Sequence, residues 1–192
     1  VPVDWLEAVA EAAPAQGLGV SFDDGNISDI ELALPILLRH GLTARFFILA
    51  GRIGMPGYLG RAEIRELRAA GMAIGSHGIN HRDWSAIEPG ELRAETEDSR
   101  KVLGELLGEP VTEIACPFGR FDRRVLRAVW AAGYERLYTT EGGPGVRGWR
   151  VMPRTSVARV RELEHWVGLA AGAGGAGPGF IQRARRRAKG LV

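Results

Sequence analysis

The sequence predicts an α/β fold: a mostly parallel sheet with helices outside it, either open or closed as a barrel. Three observations carry that expectation. Short apolar runs of strand length alternate with segments of helical periodicity about six or seven times, the pattern of repeated β-α units. Helical segments stop at Gly41, Gly71, Gly108 and Gly133, and glycine most readily takes the left-handed turn that ends a helix. The polar motifs fall directly after predicted strands, and parallel sheets place their chemistry at those ends.

Taken in order, Leu18–Phe22 reads as a short buried strand. Ile27–His40 reads as a helix, with Ile30, Leu34, Leu37 and Leu38 at helical spacing. Pro35 is awkward inside that run and predicts a kink. Ala44–Leu49 is the second strand, Arg61–Ala70 the next helix and Met72–Gly75 the third strand. Pro89–Leu107 is a longer helix, Val111–Cys116 a strand, and Arg123–Ala132 a helix with Asp122 as its N-cap. Tyr134–Thr140 and Arg150–Val157 read as further strands, and Val160–Leu169 as a closing helix. Gly168–Gly179 is Gly/Ala-rich and reads as a linker. The expected organisation is a catalytic domain at 1–167, a linker at 168–179 and a basic C-terminal tail at 180–192.

Composition narrows the class. With 45% apolar and 25% charged residues, the chain falls among globular domains able to bury a core. No apolar run reaches the ~18 to 20 residues of a membrane span. Val1–Glu11 lacks the basic start and apolar stretch of a signal peptide, so a cytoplasmic location is the expectation, with a trimmed leader left open because the first residue is not Met. Cys116 is the only cysteine, which excludes an intrachain disulfide. The net charge of +2 hides an asymmetry: from Trp166 onward there are no acidic residues and five basic ones, so the first 165 residues carry −3. A basic folded face of the kind that binds nucleic acid is absent. The tail reads as a solvated terminus or as a contact with a membrane surface or a partner. The oligomeric state is left open.

The chemistry lies in three motifs. Ser21-Phe-Asp-Asp-Gly25 follows the first strand. Adjacent carboxylates repel and resist burial; a turn explains Asp-Gly alone better than it explains the pair. Gly75-Ser-His-Gly-Ile-Asn-His81 follows the third strand, and two histidines four apart can converge on one metal from a compact loop. Asp24, His77 and His81 can thus supply three metal ligands and leave positions open for water and substrate. Asp23 is then a free carboxylate beside them, as a general base requires. Ala115-Cys-Pro-Phe-Gly119 follows the fourth strand, where Pro117 and Gly119 force a turn able to aim a backbone N–H at an oxyanion. His40 and His165 read as surface or packing residues. The donor set suits one divalent metal, zinc first, with Co, Ni, Fe or Mn open.

On these motifs the sequence resembles the polysaccharide deacetylase family, the homology domain of the nodulation-type chitooligosaccharide deacetylases (carbohydrate esterase family 4). Ser21–Gly25 matches the family's T/S-F-D-D-G motif, His77–His81 its H-S/T-x-x-H motif, and Cys116–Gly119 resembles its R-x-P-Y/F motif. The resemblance covers roughly Gly17 to Val157. It implies a distorted, incomplete (β/α) barrel that removes acetyl groups, N-acetyl first, from a poly- or oligosaccharide. It further implies that Asp24, His77 and His81 bind the metal, that Asp23 is the base, and that the Phe118 N–H helps hold the oxyanion. The departures are specific. Gly78 stands where the family has the Ser or Thr that braces the loop, and Ala115 where it has the Arg that orients the catalytic Asp. The Asp-Trp motif that pairs with that Arg has no clear copy. Arg154, in Val151–Val157, is the candidate substitute cation for Asp23. Leu163-Glu-His165 matches the family's Leu-x-His acid motif only literally, on a predicted helix. Trp84 either lines the sugar site or packs over the loop.

Three rival readings use the same residues. An amidase or imidase on a small amide would share the metal chemistry. A catalytically silent glycan-binding domain would explain the missing Arg and acid, but not the retention of Asp23, Asp24, His77 and His81. A non-haem iron oxygenase shares the two-His, one-carboxylate set, but its usual ligand order and β jelly roll differ from this pattern.

Overall fold

The computed structural model describes residues 6–11, 19–143, 145 and 148–156. The expected helix at 160–169, the linker, the basic tail and His165 lie outside the described residues, as do Leu18 and Val157 at the ends of two predicted strands.

The strands are β1 (Val20–Asp24), β2 (Ala44–Ile48), β3 (Ala73–Ser76), β4 (Glu113–Ala115), β5 (Arg136–Thr139) and β6 (Val151–Pro153). They form one sheet in the order β1-β2-β3-β4-β5-β6, and every neighbouring pair is parallel. A doubly wound sheet reverses its strand order at a switch point. Here the order never reverses, so each right-handed crossover advances in the same sense and puts its helix on the same face. The sheet curls away from its helices into an incomplete (β/α) barrel.

The helices between strands are α1 (Leu34–Arg39), α2 (Arg61–Ala69), α3 (Pro89–Arg93), α4 (Ser99–Leu107) and α5 (Arg123–Ala131). Two of the predicted helices contain a π-helical turn: Asp29–Ala33 precedes α1, and Ala94–Asp98 joins α3 to α4. Pro35, predicted to kink its helix, is the second residue of α1 and follows directly on the π-helical turn, so the local distortion of this helical run lies beside the proline. Asp122 caps α5 as predicted, accepting from the N–H groups of Arg124 at 2.8 Å and Val125 at 2.9 Å. Gly108 ends α4 in the left-handed region at φ 72°.

Strand alternation sorts the side chains. Phe46, Ile48, Ile114 and Leu137 join the large core between sheet and helices, and Phe22 stacks on Phe46 with ring centroids 4.9 Å apart. Phe47, Ala115 and Tyr138 form a separate cluster with Met152 against it, filling the inside of the curl. Among the described residues, no helix is long and apolar enough to cross a membrane.

Candidate active site

β1 runs two residues further than predicted and ends with the carboxylate pair itself. Regular alternation would point Asp23 and Asp24 to opposite faces. Asp23 is in register with Phe47 on the inner face. Asp24 escapes the alternation because its backbone turns left-handed, at φ 77°. Its Oδ1 lies 3.6 Å from His77 Nε2 and 3.6 Å from His81 Nε2. The three ligand atoms all lie within 4.8 Å of one another, and Asp24 Oδ1 is buried without a hydrogen-bond partner. Such an orphaned acceptor facing two imidazole nitrogens fits a divalent cation that would complete all three.

The loop from His77 to His81 begins where β3 ends. His77 is 2% exposed, and its Nδ1–H donates to the Ala115 carbonyl at 2.9 Å. That bond fixes the tautomer and leaves Nε2 free as a ligand. Burial lowers the His77 pKa, against the pull of Asp23, of the Ala115 hydrogen bond and of Asp24, which favours the neutral form that binds metal. His81 is left-handed, at φ 55°.

Asp23 is gripped by Arg154, which follows β6. Its guanidinium donates to Asp23 Oδ1 at 2.6 Å and Oδ2 at 2.8 Å, and to Ser21 Oγ at 3.0 Å. Arg154 in turn lies over the Phe47 ring, 5.0 Å from its centroid. Burial acts to raise the Asp23 pKa, but the Arg154 hydrogen bonds and the charges of His77, Arg154 and His81 outweigh it, holding the group below the ordinary carboxylate value. Ala115, at the position that lacks an arginine, instead offers its carbonyl to His77.

The third motif makes a tight turn at Pro117–Gly119. Phe118 is left-handed at φ 57°, 55% exposed, and its ring meets His81 edge-on at 4.5 Å. The turn's own hydrogen bonds run from Gly119 N–H to Cys116 and from Arg120 N–H to Pro117, so neither uses the Phe118 N–H. Gly119 at φ 65° cannot carry a side chain, since a Cβ there would meet the Thr140 nitrogen at 2.7 Å. Among the described residues, Asp24, His81 and Phe118 are the non-glycine positions with positive φ. Each costs about 1 to 3 kcal/mol, and such strain collects at functional sites.

Trp84 does not face the site. It is fully buried and packs beside Gly78, where an added Cβ would come within 3.0 Å of its ring. His40 pairs with Glu7 at 2.8 Å, away from the cluster. Two relevant residues carried no motif signal. Asp29 is 5% exposed with Oδ2 unpartnered, and burial, aided by Asp24 and Asp23 and opposed by a backbone hydrogen bond from Asn26, pushes its pKa up to about 7. Glu95 is 3% exposed and bonds to the loop between the two histidines. A lone acidic residue in a helix reads as surface, so neither stands out without coordinates.

Comparison with known proteins agrees with the fold. The family model described as polysaccharide deacetylase matches residues 10–137. YxkH of Bacillus subtilis (strain 168), a curated protein named for polysaccharide deacetylases, is 30% identical over 128 residues, covering 67% of this chain and 46% of its own length. The chain therefore spans less than half of that relative. Among solved structures, Streptococcus pyogenes deacetylase PplD in complex with acetate superposes with a TM-score of 0.73 at 22% identity, covering 82% of this chain and 81% of that one. IcaB from Ammonifex degensii gives 0.75 at 20% identity, covering 90% and 89%. At those identities the superpositions speak for the fold.

Proposed function

This chain belongs to the polysaccharide deacetylase family, and we propose that it hydrolyses acetyl groups, N-acetyl first, from a poly- or oligosaccharide. The observation that carries the reading is the convergence of Asp24, His77 and His81 within 4.8 Å beside an Asp23 held by Arg154. Asp24, His77 and His81 would hold one divalent metal, zinc by its liking for two imidazoles and a carboxylate. When bound, the metal supplies Lewis acidity, which makes water a usable nucleophile near neutral pH. Asp23, ionised because Arg154 holds its pKa down, takes the proton of the attacking water. Arg154 also fixes the direction in which that carboxylate points. The Phe118 N–H donates to the oxyanion that develops on the acetyl carbonyl.

The test is metal content by elemental analysis, with acetate release from acetylated chitooligosaccharides, on wild type and an Asp24→Ala/His77→Ala double variant. About one metal per chain, lost in the double variant, with acetate released only by wild type, is the expected result. Metal without acetate release moves the reading to another substrate, a small amide included. No metal after reconstitution with zinc, cobalt or nickel ends it. Asp23→Asn is expected to keep the metal and lose acetate release by about 100-fold or more; near-wild-type turnover would remove Asp23 as the base.

A further inference from the structure

The segment between the two histidines is short, and its backbone is pinned from several sides. The His77 N–H donates to the Ile48 carbonyl at 2.8 Å, and the Gly78 and Ile79 carbonyls accept from Ala50 N–H at 2.9 Å and Gly51 N–H at 3.2 Å. The Gly78 N–H donates to Ser76 Oγ at 3.0 Å. The next two N–H groups go to one side chain from a distant helical run. Ile79 N–H donates to Glu95 Oε2 at 2.8 Å, and Asn80 N–H reaches Oε1 at 3.1 Å and Oε2 at 3.2 Å. His81 follows immediately, in its left-handed conformation.

The surroundings are built for that carboxylate. Glu95 lies in the π-helical turn Ala94–Asp98, where hydroxyls give nearby carbonyls additional donors: Thr96 Oγ1 to Leu92 at 3.0 Å and Ser99 Oγ to Glu95 at 2.7 Å. A π-turn changes the angle at which its side chains leave the helix and recurs at functional sites. Ser99 also receives Ser76 Oγ at 2.8 Å, so both braces of the loop meet at one point of this turn. Gly78 leaves the room: a Cβ there would sit 2.5 Å from Glu95 Oε2. Successive N–H groups converging on one acceptor make a rigid anion-binding nest, here filled from within the chain. A left-handed residue persists only where its neighbours over-determine it, and Glu95 fixes the two residues before His81.

We propose that Glu95 is a positioning residue that holds Ile79–Asn80 and thereby sets His81 for metal binding. The inference rests on the metal-binding reading above. Its test is the zinc dissociation constant of purified wild type, Glu95→Gln and Glu95→Asp, with the melting temperature of each metal-free protein. Glu95→Gln keeps the size but turns an NH2 toward a backbone N–H. It is expected to weaken zinc binding about 10- to 100-fold, the range for residues that orient a ligand, and to shrink the zinc-induced rise in melting temperature. Glu95→Asp keeps the charge one methylene short, restores part of the affinity, and is read alone if Glu95→Gln yields no folded protein. Unchanged zinc affinity in a folded Glu95 variant overturns the proposal, even if its melting temperature falls, because Glu95 is then only a packing element. Absence of zinc binding in wild type instead overturns the metal site itself.

Discussion

At the scale of single residues, the site depends on which charges are held and how. Arg154 reaches Asp23 through two parallel hydrogen bonds, a fork that lysine cannot reproduce. Arg154→Lys is expected to lower kcat/KM by about 10-fold or more. Since Arg154 holds the Asp23 pKa down, the variant should also move the acid limb of the pH–rate profile upward; an unmoved limb would show that Arg154 does not tune the base. Asp29 makes the opposite case. With its pKa raised from 3.8 to about 7, the folded chain keeps a proton there that the unfolded chain releases. Its contribution is favourable at low pH and is lost as pH rises through that window. Asp29→Asn should therefore change the urea stability of metal-free protein little at about pH 4 and raise it by up to about 4 kcal/mol at about pH 8. A difference that does not vary with pH would show Asp29 to be ionised throughout.

At the scale of elements, the strands supply position and the loops supply direction. Gly75 on β3 leaves space that the Phe47 ring fills, since a Cβ there would meet the ring at 2.5 Å and 2.6 Å. Phe47 in turn underlies Arg154, so a small residue on one strand governs a guanidinium delivered from another. Gly75→Ala is expected to destabilise by about 1 to 3 kcal/mol through overpacking, read as a lower urea midpoint at unchanged slope, and to reduce acetate release by displacing Arg154. Retained stability and turnover would mean that Phe47 relaxes without moving it. Among the described residues the predicted elements recur with shifted ends. β1 extends through Asp24 because polar residues at the rim of a parallel strand can still make its ladder, and hydropathy sees only the apolar part. Both π-helical turns were invisible, since one wider turn leaves the apolar period almost unchanged.

At the scale of the whole molecule, the incomplete barrel brings residues distant in sequence to one rim. Among the described residues the sheet runs from β1 to β6 without pairing those two strands, and the Arg154 bonds to Ser21 and Asp23 span the gap. A metal held where Asp24, His77 and His81 meet would link strand ends that unfolding separates. Zinc at about 100 times its dissociation constant should add about 2.7 kcal/mol of stability, a rise in melting temperature of roughly 5 to 10 °C for a domain of this size. A chelator should reverse it. An unchanged melting temperature would mean that the ligands do not act together in the folded state.

Periodicity and spacing were enough to read the parallel α/β class, the order of its strands and helices, and the grouping of Asp23, Asp24, His77 and His81 at one end of the sheet. Those features are local: alternation, glycine stops and short motifs carry them within about ten residues. Arg154 could be named as a candidate only because Ala115 left a role unfilled, and Glu95 and Asp29 were not legible at all. Their meaning depends on burial and on contacts across long stretches of chain, such as the sequence separation of 131 from Asp23 to Arg154. The left-handed turn that brings Asp24 round to the histidines is likewise a tertiary decision, because local preference opposes it and only the packed loops around it hold it there.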